Sequence, residues 1–142
     1  MAVLGMEQYG RALASFNSAF SLAGSADAIE RDLSEKRVPV WMPSAMVLAA
    51  TDITKSWNVT SDSLAAWLAA RIGAGRLWIV KHAKLSPGSV KLKDLVAARI
   101  VDDEFARFHQ RMPVPVSILG PSDYNTTVVA IRDGTSVGIG IQ

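Results

Sequence analysis

Ser61-Asp-Ser-Leu-Ala-Ala-Trp-Leu-Ala-Ala-Arg-Ile72, followed by Gly73-Ala-Gly-Arg-Leu-Trp-Ile-Val80, decides the fold. Leu64, Ala65, Trp67, Leu68 and Ile72 share one side of a 3.6-residue repeat, so residues 61–72 are predicted to be a helix. Thr60 or Ser61 can cap its start, Asp62 lies in its first turn, and Gly73 and Gly75 stop it. Leu77 to Val80 is a short continuous apolar run, the pattern of a strand covered on both faces. A helix leading directly into such a strand is a piece of an α/β fold.

Working outward toward the N-terminus, Val38-Pro-Val-Trp-Met42 suits a strand with Pro39 near its beginning. Residues 44–50 extend that strand or bridge to a loop, and residues 51–60 are polar and irregular. A helix is expected from Ala26 or Asp27 to about Lys36, with acid at its start and base at its end. Residues 2–23 keep a helical apolar rhythm through Val3, Leu4, Met6, Tyr9, Leu13, Phe16, Phe20 and Leu22, and are read as one helix ended by Gly24.

Toward the C-terminus a loop is expected over 82–90, then short helices over 91–98 and from Asp102 or Asp103 to Gln110. Residues 115–119 read as a strand and 122–131 as a helix. Residues 135–141 read as a closing strand with Val137, Ile139 and Ile141 on one face. The alternation predicts a three-layer αβα domain over 1–142, with a mostly parallel sheet and helices on both faces.

The chain has 142 residues, 49% hydrophobic and 20% charged, the balance of one compact domain. With no cysteine there is no disulfide framework, thiolate metal site or cysteine nucleophile. The longest apolar run, residues 64–70, is far short of a membrane span. Glu7 and Arg11 interrupt the N-terminal stretch, which does not read as a signal peptide. A cytoplasmic protein without membrane contact is the expectation.

Lys plus Arg total 15 against 13 Asp plus Glu, a formal net charge of +2. Charge placement says more than the sum. No acidic residue falls between Asp62 and Asp94, an interval that holds Arg71, Arg76, Lys81, His82, Lys84, Lys91 and Lys93. Such a stretch attracts anions. A solvated face paired with acids from elsewhere is the plain alternative. Lys81 and Lys84 lie just past the C-terminal end of a predicted parallel strand, where ligands of open α/β sheets bind. Nucleic acid is a weak fit, since the charge is modest and no aromatic platform is interleaved with the basic residues.

Asn58 and Asp62 precede or open the predicted helix, so their side chains can converge on that strand-end cleft. Free amides at the helix start would add an anion cradle, although a capped helix start with one acid is also routine. No P-loop, dinucleotide fingerprint or nucleophile elbow is present. His82 and His109 lack ligand-like spacing, and no metal site is expected on protein side chains. Gly134, Gly138 and Gly140 are read as turn and packing glycines.

Residues 58–69 and 73–80 together resemble the amino-acid kinase superfamily, which includes acetylglutamate, aspartate, carbamate and uridylate kinases. In these proteins an Asn, three residues and an Asp open an Ala-rich helix that leads into a central strand. Ser56-Trp57 and Thr60-Ser-Asp-Ser63 look most like the small kinase of methanofuran-precursor synthesis. Met1 to Gly10, Ile100-Val-Asp-Asp-Glu-Phe105 and Asp133-Gly-Thr-Ser-Val-Gly-Ile-Gly-Ile141 are similar to other parts of that family.

The resemblance implies ATP-dependent phosphoryl transfer to a small acceptor, with Mg²⁺ accompanying the triphosphate. It gives Asp62 the catalytic task of organising lysines around the phosphates. It sets Asn58 and Ser61 against the acceptor, and Lys81 and Lys84 against the nucleotide. The strand end here reads Lys81-His-Ala-Lys-Leu85, where relatives commonly have Thr-Asp-Val-Asp-Gly. The family's Gly-rich phosphate loop belongs to an N-terminal half with no counterpart here. That half is expected from a partner chain or a longer polypeptide, and a homo-oligomer is the other expected assembly. A non-catalytic binding or assembly module is the alternative reading.

Overall fold

The computed structural model describes residues 2–83, 90–111 and 114–141. They form two compact units, residues 1–56 and 57–142.

In the first unit, α1 (Ala2–Ser15) is followed by β1 (Phe20–Ala23), α2 (Ala26–Ser34), β2 (Val38–Trp41) and α3 (Ser44–Ala49). β1 and β2 are parallel, with Phe20 opposite Val38 and Ala23 opposite Trp41. Parallel neighbours need a crossover, and α2 supplies it. Ser25 caps α2 by accepting from the Ala28 amide at 3.2 Å. Ala23, Ile29, Met42 and Val47 are buried here. Gly10 lets α1 approach β2, because a Cβ at that position would stand 3.3 Å from Val40.

Two expectations fail in this unit. Residues 2–23 are not one helix. Asn17 turns the chain by accepting from the Ala19 amide with its side chain at 2.9 Å, and its carbonyl accepts from Phe20 at 3.0 Å. The apolar residues beyond it form β1. Residues 44–49 are a helix rather than a strand extension or loop. Glu7, from α1, accepts hydrogen bonds from the Ser44 amide at 2.9 Å and from the Ser44 hydroxyl, fixing the start of α3.

In the second unit the order is α4 (Ser61–Arg71), β3 (Leu77–Val80), α5 (Leu92–Ala97), α6 (Phe105–His109), β4 (Val116–Leu119), a 3-10 turn (Pro121–Asp123), α7 (Tyr124–Asp133) and β5 (Ile139–Gly140). β3 and β4 are parallel, Leu77 opposite Val116 and Val80 opposite Leu119. β5 returns antiparallel to β4. Leu64, Trp67, Leu95, Phe105, Phe108, Ile118 and Leu119 make the core. Gly73 ends α4 in the left-handed region at φ +61°, and the Ala74 amide closes onto Ala69 O at 2.9 Å.

The helix and strand read from residues 61–80 stand where the sequence puts them. The strand is less covered than its composition suggests: Ile79 is buried, whereas Val80 is 61% exposed. The closing strand is shorter than expected, and Gly138 precedes it at φ +79° against the backbone of Ile118. The fold is mixed α/β with parallel strand pairs and flanking helices, in agreement with the αβα expectation. Among the described residues no helix is long and apolar enough to cross a membrane.

Candidate active site

The site is built where the start of α4 meets the end of β3. Thr60 is the N-cap of α4, in extended conformation at φ −115° and ψ −165°. Its hydroxyl makes no cap bond to the helix. It donates instead to Asp102 Oδ2 at 2.7 Å, and the same oxygen accepts from the Thr60 amide at 2.9 Å and the Ser63 amide at 3.1 Å. The Ser63 hydroxyl donates to the other oxygen, Oδ1. Asp102 precedes α6 between buried Val101 and Phe105, and caps a helix about 40 residues earlier in the chain. Burial pushes its carboxyl up, but the bonds from Ser63 and Thr60 outweigh that and hold it below its ordinary value.

Asp62, between those two bonded residues, is buried. Its Oδ2 accepts from Lys81 Nζ at 2.6 Å, the side chains being 9% and 24% exposed respectively. Lys81 follows β3 directly. Its amide donates to Leu119 O at 2.8 Å and continues the parallel ladder, so its ammonium is fixed at the C-terminal edge of β3 and β4. Beside it, Asp123 accepts from the Gly120 amide at 2.8 Å, and Tyr124 Oη reaches the Lys81 carbonyl at 3.5 Å. The arrangement is a buried carboxylate holding a partly exposed ammonium at the strand edge where α/β folds bind ligands.

The expected site residues separate. Asp62 and Lys81 are brought together. Ser61 is exposed on the first turn of α4, and Asn58 is exposed in the loop before it. Lys84 lies outside the described residues. Two of the amides at the helix start, those of Thr60 and Ser63, are already bound by Asp102, so the anion cradle expected there is partly occupied. Asp102 is thus a second acid at the helix start beside Asp62.

Two residues of the basic stretch stand away from this pair. Arg71, at the far end of α4, lies over the Trp67 ring at 4.2 Å. Arg76, before β3, donates to the Gly134 and Thr135 carbonyls at 2.8 and 2.6 Å and closes the end of α7. Each is about 15 Å along its element from the Asp62–Lys81 end.

The model of the amino acid kinase family matches residues 6–84, more than half of the chain, and Asn58, Asp62 and Lys81 fall inside the match. The chain belongs to the amino acid kinase family. No curated protein matches it. The matched region ends before α5 and α6, so Asp102, which fixes the helix start, lies outside it. Sequence reasoning offered Asp102 as a helix start and missed this role, because no local signal marks its contacts with Thr60 and Ser63. Its partners Thr60 and Ser63 are recognisable only once the chain has folded.

Proposed function

We propose that this chain is an ATP-dependent phosphotransferase, or the nucleotide-binding part of one, acting on a small-molecule acceptor. The observation that carries the reading is the Asp62–Lys81 pair at the C-terminal edge of β3, within the family match. In the transfer, an acceptor oxygen forms a bond to the γ-phosphorus as the bond to the β–γ bridging oxygen breaks and ADP leaves. Such chemistry needs positioning and charge neutralisation more than covalent help from the protein.

Lys81 supplies the charge. An ammonium has three donors, and among the described residues Nζ directs one to a side chain, that of Asp62. The others can meet phosphate oxygens from the solvent side. Asp62 fixes where the ammonium stands. Lys84 is a second nucleotide contact, and Asn58 and Ser61 face the acceptor. Precursors of methanofuran are the first acceptors to test.

Among the described residues no three His, Asp or Glu side chains assemble as a cation site, and Asp62 already holds a cation of its own. Mg²⁺ would enter with ATP as part of the substrate, held through its phosphates. A second copy, or a chain carrying a Gly-rich phosphate loop, completes the assembly.

A non-catalytic binding module is the second reading, favoured by the occupation of the α4 start by Asp102. Transfer of labelled γ-phosphate from Mg-ATP to candidate acceptors separates the two. Wild type should transfer label and Asp62→Asn should lose at least about 100-fold, as when a preorganised charge is removed. Equal transfer by both proteins contradicts the role of Asp62, and no transfer by wild type, alone or with a partner chain, favours the module.

A further inference from the structure

We infer that Asp102 is a positioning residue that directs the Asp62 carboxylate to Lys81. An Asp in the first turn of a helix ordinarily has nearby competitors for its oxygens, the unpaired amides of its own turn. Here the amides of Thr60 and Ser63, on either side of Asp62, are bound by Asp102, together with both hydroxyls. The negative charge of Asp102 at the helix start also opposes a second carboxylate settling there. With the donors of these two neighbours taken, Asp62 meets the ammonium at the strand end at 2.6 Å.

The same four bonds fix the backbone from residue 60 to 63, so they set where the Cα of Asp62 stands as well as what its side chain can reach. The lowered carboxyl of Asp102 agrees with a group that stays charged in this place. A simple cap would stabilise α4 and leave the Asp62–Lys81 interaction unchanged. A positioning residue would weaken that interaction when removed.

The functional meaning of this assignment rests on the kinase reading above, but its test does not. A double-mutant cycle with Asp62→Asn and Lys81→Met, followed by urea unfolding of the full chain, measures the coupling between the two groups. With Asp102 present, the coupling should change the unfolding equilibrium constant by roughly tenfold, within the range for contacting residues. In the Asp102→Asn background it should fall toward unity. Should Asp102→Asn not fold, Ser63→Ala removes one of the four bonds and should give an intermediate coupling.

Unchanged coupling in either background overturns the inference, and so does a wild-type coupling near unity. Loss of coupling upholds it even if the wild-type protein transfers no phosphate. That second result would count against the kinase reading alone.

Discussion

Lys81 Nζ stands 2.6 Å from Asp62 Oδ2, joining the end of a strand to the start of the helix that precedes it in the chain. The two partners are unequally covered, at 24% and 9% side-chain exposure. That inequality has a measurable result. Asp62→Asn leaves an ammonium that water can reach, and should cost about 1 kcal/mol, as for a partly exposed pair. Lys81→Met leaves a carboxylate largely cut off from water and should cost roughly 3 kcal/mol, the low end for a broken buried pair. Urea unfolding of both variants checks the order. Equal losses would mean that the carboxylate is better solvated than its burial indicates.

Acid should loosen the α4 start in a defined direction. The Asp102 carboxyl sits below its ordinary value in the folded chain, against burial, because Ser63 and Thr60 donate to its charged form. The unfolded chain therefore binds this proton more readily. The stabilisation is full above the unfolded value of about 3.9 and is lost as pH falls through the lower folded value. Protection of the Ser63 amide, followed by NMR as pH is lowered, should decline over that window. In Asp102→Asn the decline should flatten. The same slope in both proteins would assign the acid sensitivity to another group.

Gly138 offers a test of the fold away from the site. Its φ of +79° is one that L side chains rarely adopt, and an added Cβ would press on the Ile118 carbonyl oxygen and the Leu119 side chain. The backbone oxygen cannot swing away as a side-chain tip would. Gly138→Ala should lose about 1–3 kcal/mol, the range for overpacking a filled site. Gly140→Ala, with open space around the added atom, is the control. Thermal unfolding should separate the two, and equal melting temperatures would contradict the placement of β5.

What the sequence disclosed follows from how local each signal is. The helix from Ser61 and the strand Leu77–Val80 were legible because their apolar spacing and the intervening glycines lie within one short window. Lys81 was legible because a cation directly after a parallel strand can only stand at the strand's C-terminal edge.

β1 was hidden because Phe20 and Leu22 fit the helical rhythm of α1 as well as a strand. Only Asn17, through its side-chain bond to Ala19, breaks that rhythm. α3 was hidden because its start depends on Glu7, far back in the chain. Asp102 was hidden for the same reason: it serves Thr60 and Ser63 across 42 and 39 residues, and no period or spacing records such a contact. The uniformly basic interval 63–93 misled in the opposite way, since Arg71 packs on Trp67 of its own helix and Arg76 closes the end of α7.

Calorimetric titration of the full chain with Mg-ATP tests the central claim most directly, comparing wild type with Lys81→Met and with Arg71→Gln and Arg76→Gln. The Asp62–Lys81 pair as a phosphate site predicts at least about tenfold weaker binding for Lys81→Met, the loss of one charge-assisted contact. The two arginine variants should bind as wild type does. Equal affinity for wild type and Lys81→Met would contradict the account.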